Sequence, residues 1–229
     1  MINFREIIRV RDISKENKKT FISSIIDSSA PKLDFYLMVS LSSIITSLGL
    51  IADNLALVIA GMIVAPLLSP ILAISLGCVI TNFKVFWRSF KIFALSLFVA
   101  VFVSTLVGTV FNINVEEILL IKEMNISWLT FAIALTAGIT ASYAWTRTNS
   151  KDYLSGIAIA VTIIPPLTSI GLIIPSFNLE LLSHVSMFFL MNVLGIFLGG
   201  LIVFSLIHLQ KVRRTAIKEV EKEEKELNN

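Results

Sequence analysis

The sequence predicts an all-α membrane protein with six transmembrane helices, built as an inverted repeat of three helices plus three. Three observations carry this reading: long windows free of Asp, Glu, Lys and Arg, basic residues confined to alternate connections, and a proline-bearing segment that occurs twice.

The 229 residues are 55% hydrophobic and 15% charged, with a mean hydropathy of +0.85. A soluble chain of this length needs more polar surface than that. A helix needs about 20 apolar residues to cross a hydrocarbon core of roughly 30 Å. The uncharged windows predict spans near 33–52, 55–81, 89–111, 127–145, 154–174 and 184–209. A transmembrane barrel would instead alternate in segments of about ten residues, and these runs are continuously apolar.

Orientation follows from charge. Residues 1–32, the connection between spans two and three, the connection between spans four and five, and the tail hold eighteen of the nineteen Lys and Arg residues. Only Lys122 falls on the other side. Cytoplasmic loops collect Lys and Arg, so both termini are expected inside a cell membrane. Trp87, Trp128 and Trp145 lie at span ends, where indole prefers the interface. The organisation expected is a cytoplasmic segment 1–32, a first three-helix unit 33–111, an extracytoplasmic connection 112–126, a second unit 127–209 and a charged tail 210–229. Residues 14–29 read as an amphipathic helix whose Phe21, Ile22, Ile25 and Ile26 face the bilayer surface. No small-residue cleavage pattern marks this segment as a signal peptide.

Sliding the chain by 100 positions lays residues 55–72 on 155–172, with Pro66 on Pro166 and Ser69 on Ser169. Four of the six prolines lie in these two segments. Because the period covers an odd number of helices, the two copies must cross in opposite directions. Pro66 and Pro166 each lie roughly 17 Å from the start of their helix, near the midplane. Interrupted helices meeting there are how secondary transporters build substrate and ion sites.

Proline deletes a backbone donor and clashes with the carbonyl four residues earlier. Pro66 therefore frees the carbonyl of Met62, Pro70 that of Pro66, and Pro165 and Pro166 those of Val161 and Thr162. A freed carbonyl in hydrocarbon needs a donor, a water or a cation. Ser69, Thr162, Thr168 and Ser169 supply hydroxyls beside them. Such a set of neutral oxygens suits a Na⁺-like cation, water or a small polar solute. It equally suits two kinks closed by their own Ser and Thr side chains.

No Asp or Glu lies within a span, which argues against a buried-carboxylate proton relay. Asp53 and Asp152 precede spans two and five, as helix caps or as gates at each mouth. Asn192, deep in span six, reads as interhelical glue. His184 and His208 lie roughly 36 Å apart on one helix and cannot share a site. No nucleophile has a base within reach, so neither enzymatic activity nor a cofactor nor a metal is expected. Cys78, the sole cysteine, reads as a packing residue. Small residues four apart, Ala134/Gly138/Ser142 and Gly195/Gly199 among them, allow close helix packing; the latter pair also admits a homo-oligomer interface. A formal charge of +3 calls for anionic lipid headgroups rather than nucleic acid as the partner.

The run DNLALVIAGMIVAPLLSPILAISLG, residues 53–77, resembles the signature of a prokaryotic integral membrane family, domain of unknown function 389. Gly61, Met62, Ala65, Pro66, Leu67, Pro70 and Ile71 carry the resemblance, and PPLTSIG at 165–171 extends it. It covers roughly residues 33–210 and implies a prokaryotic cell membrane, with the activity left open. Two functions fit the residues. One is a permease for a small ion or polar solute, its site formed at the breaks. The other is a membrane scaffold or sensor acting through its charged tail.

Overall fold

The computed structural model describes residues 25–26, 30–111, 113–146 and 163–207. Among them the chain is helical throughout: α1 (Leu33–Ile51), α2 (Leu55–Val64), α3 (Leu68–Val79), α4 (Phe83–Phe111), α5 (Leu119–Lys122), α6 (Trp128–Trp145), α7 (Ile164–Ile173) and α8 (Leu179–Leu206). Short 3-10 turns cover Val115–Glu117 and Ile174–Ser176. Four helices, α1, α4, α6 and α8, are each long and apolar enough to cross a membrane. The bent pair α2 and α3 makes a fifth candidate, and Ile164–Ser176 is a shorter apolar helix.

Polarity is distributed inside out relative to a water-soluble bundle. Helix α1 buries Ser42, Ser43, Thr46 and Ser47 while exposing Leu37, Met38, Leu41, Ile44 and Leu48. Helix α8 buries Asn192, Gly195 and Gly199 and exposes Leu190, Leu194, Leu198 and Ile202 in a continuous stripe. In water these stripes would be large unsatisfied apolar patches. Several such long apolar helices suggest a membrane protein.

Two helix corners share one construction. At the end of α1, the Asn54 N–H donates to Gly49 and the Asp53 N–H to Leu50; at the end of α3, Asn82 donates to Gly77 and Thr81 to Cys78. This is the Schellman pattern, with Asp53 (φ 46°) and Thr81 (φ 52°) in the left-handed position that glycine usually fills. Asn54 and Asn82 then cap the next helix, accepting from Ala56 and Leu57 and from Lys84 and Val85. The returning helix presses on the glycine. A Cβ on Gly49 would lie 2.8 Å from the Val58 nitrogen, and one on Gly77 2.7 Å from that of Phe86. Phe177 (φ 53°) and Asn178, which caps α8 through Leu181, repeat the left-handed residue and its asparagine.

Helix starts recur at an offset of 95 or 96 residues: Leu33 and Trp128, Leu68 and Ile164, Phe83 and Leu179. Packing recurs as well. Gly200 of α8 lies against Ser75 of α3, and Ser104 of α4 lies against Gly171 of α7. Each partner is its counterpart's position moved by 96. These starts and contacts recur at an offset of 95 or 96, whereas the sequence match of Pro66 with Pro166 runs at 100. A slip of four residues is close to one helical turn and preserves the apolar face, so the sequence matches at either offset.

Two other readings change, and the 112–126 connection gains a structure. Helix α4 begins at Phe83, so Lys84, Arg88 and Lys91 ride on a helix and not in a loop. Ile25 and Ile26 are buried against Leu72, Leu76, Val79 and Phe204, within the protein and not on the bilayer surface. The 112–126 connection is packed, with Val115, Ile118, Ile121 and Met124 buried on Val58 and Val185. It is tied at one end of the bundle: Asp53 accepts from the Leu119 and Leu120 amides, and Asn178 donates to Glu116.

Candidate functional site

The apolar run through α2 and α3 is broken where the prolines require. The residue before a proline is pushed out of the helical region, and Ala65 is accordingly extended (φ −74°, ψ 122°). The chain passes Pro66 and Leu67 and restarts as α3, bent by 50° from α2. Pro70 makes no second break. It occupies the third position of α3, where a backbone N–H would have no intrahelical partner anyway. Pro165 and Pro166 stand likewise at the second and third positions of α7. At offset 96 the equivalent prolines are Pro70 and Pro166, both buried first-turn residues.

Helices α3 and α7 both begin inside the bundle. Leu67 and Ile71 share one apolar cluster with Ile163, Ile164 and Leu167, and Ala137, Ala141, Ile196 and Phe93 close around them. Neither start has a side-chain cap. An uncapped helix start carries a partial positive charge. Proline limits the cost in both, because Pro70, Pro165 and Pro166 have no amide hydrogen to leave unpaired in an apolar surrounding.

The hydroxyls singled out in the sequence turn onto their own helices. Ser69 donates to the Pro66 carbonyl at 2.9 Å. Thr168 donates to Ile164 and Pro165, each at 3.0 Å, and Ser169 to Pro165 at 2.8 Å. The carbonyl of Pro66 is therefore satisfied by Ser69, a correction to its reading as a free ligand. Met62 is buried on the neighbouring wall, with Leu50, Val58 and Leu172. Val161, Thr162 and Asp152 lie outside the described residues.

Asp53 does not cap α2; Asn54 does. Its carboxylate instead holds the start of α5, 66 residues away, because its left-handed backbone points it out of the α1–α2 corner. Asn192 donates to Phe188, one turn back on its own helix. His184 pairs with the Met124 carbonyl at 2.8 Å, and His208 lies outside the described residues. Among the described residues no three His, Cys, Asp or Glu side chains converge.

Sequence reasoning missed the polar clasps between helices. Ser42 donates to the Gly61 carbonyl at 2.7 Å, Ser47 to Ser104 at 3.1 Å, and Ser75 to the Phe197 carbonyl at 3.1 Å. The Thr46 hydroxyl, fully buried against Gly61, has no hydrogen-bond partner. Gly195 and Gly199 press on Ala134, Leu135 and Gly138 of α6. That face is therefore spent within the chain and is not free for a second copy.

Residues 62–198, which start inside α2 and take in both proline segments, match the model of the domain of unknown function DUF389. The chain belongs to the DUF389 family. An uncharacterised protein of Methanocaldococcus jannaschii is 32% identical over 169 residues, 74% of this chain and 52% of that relative. The chain thus spans about half the length of the curated relative it matches. No solved structure matches.

Proposed function

We propose that this DUF389 chain is a permease for a small ion or polar solute, with its pathway running past the break at Ala65–Leu67 and the first turn of α7. The observation that carries the reading is the pair of uncapped helix starts, at Leu68 and Ile164, inside one bundle core. Their dipoles favour an anionic or hydrogen-bond-accepting group of the solute, while the carbonyl end of α2 favours a cationic one. In this proposal the two units cross in opposite directions, six spans in all, with both termini in the cytoplasm. The recurrence of helix starts at offset 96 supports a repeat with an odd number of crossings. No catalytic step is involved.

A scaffold without transport is the competing reading. It is favoured by the hydroxyls of Ser69, Thr168 and Ser169, each bonded to its own helix. Reconstitution into vesicles with a panel of monovalent ions and small polar solutes separates the two. The permease reading expects flux in the natural protein and its loss in Pro66→Leu, which can close the break into a continuous helix. No flux for any member of the panel, or equal flux in Pro66→Leu, defeats it.

A further inference from the structure

At the opposite end of the bundle from Asp53, the starts of α1 and α4 enclose a groove of about 490 Å³. Tyr36 of α1 and Lys84, Arg88, Lys91, Ile92 and Leu95 of α4 line it, and Leu95 lies one turn further along α4 than Lys91. The three cations recur at intervals of four and three residues and so occupy one face of α4. Among the described residues no acidic side chain lines the groove. Trp87 borders it as well, and indole belongs at the headgroup level of a bilayer.

We infer that this groove is a binding site for an anionic phospholipid, with the phosphate held by Lys84, Arg88 and Lys91 and an acyl chain laid along Ile92 and Leu95. Charge and apolarity are graded in the order such a lipid presents them. A zwitterionic lipid would bring a choline or amine against three cations and is disfavoured. The chain's own N-terminal segment is a poor occupant, because residues 1–24 hold six Lys and Arg against three Asp and Glu. The volume lies within the range of small-molecule sites. The site rests on the membrane reading of the fold and not on transport, so it stands or falls separately from the permease proposal.

The test uses the full-length protein in detergent, with native mass spectrometry and thermal melting as readouts. Phosphatidylglycerol is expected to add discrete bound lipid and raise the melting temperature, while phosphatidylcholine and inorganic phosphate do neither. Lys84→Gln/Arg88→Gln/Lys91→Gln is expected to weaken phosphatidylglycerol binding by about tenfold or more while melting like the natural protein in phosphatidylcholine. If the triple variant fails to fold, Arg88→Gln alone is expected to weaken binding in the same direction. Leu95→Trp is expected to weaken it with every charge in place. Equal binding in these variants overturns the assignment. A response to inorganic phosphate equal to that of the lipid overturns it too, as does carbodiimide cross-linking of Lys84 or Lys91 to the acidic stretch 219–226 in lipid bilayers.

Discussion

The hydroxyl of Ser69 donates to the carbonyl of Pro66 at 2.9 Å, inside a span that has lost its regular hydrogen-bond ladder. Ser69 is 3% exposed, so no open solvent stands ready to replace it. Ser69→Ala is expected to destabilise the protein by about 1–3 kcal/mol, the cost of stranding a buried acceptor. Ser69→Thr, which keeps the hydroxyl, should retain most of the stability. Thermal denaturation in detergent, compared across the two variants, is the measurement.

Thr46 and Gly61 form the tightest contact between α1 and α2. A Cβ on Gly61 would run into the Thr46 hydroxyl, so Gly61→Ala should cost about 1–3 kcal/mol through overpacking. Thr46→Val removes a buried hydroxyl that has no partner and should be neutral or stabilising by about 1 kcal/mol. Gly61→Ala combined with Thr46→Ala should recover part of the loss. Additive effects in that double-mutant cycle would count against the contact.

Asp53 and Thr81 hold equivalent left-handed positions but should respond oppositely to glycine. Thr81→Gly relieves a conformation that costs roughly 1–2 kcal/mol for a side-chain-bearing residue and should stabilise. Asp53→Gly gains the same relief but abandons the amides of Leu119 and Leu120, a loss of about 0.5–2 kcal/mol by analogy with other caps. Hydrogen exchange at those two amides should rise in Asp53→Gly and stay unchanged in Thr81→Gly.

Much of this architecture is legible in the amino acids, and what escapes has physical causes. Continuous apolar runs announce the helices, and Pro66 announces the break, because proline's effect on its own helix is local. Offsets of 96 and 100 both give a sequence match, because a slip of one turn keeps the same residues inward. Ile25 and Ile26 were assigned to the bilayer because a helix face that avoids water looks alike whether lipid or protein covers it. The partner of Asp53 is 66 residues away and leaves no local signature. The corners did leave one, a glycine five residues before an asparagine at Gly49–Asn54 and Gly77–Asn82, and it was readable.

Those corners bear on how the molecule can move. Each asparagine terminates one rod and launches the next with no spare residue between them, and each glycine lets the two rods touch. Rods α1 and α2 therefore travel as one stiff hairpin, and α3 and α4 as another. Ala65–Leu67 is the chain connection between them and the Ser47–Ser104 bond clasps α1 to α4, so a hinge at those three residues must also break that clasp.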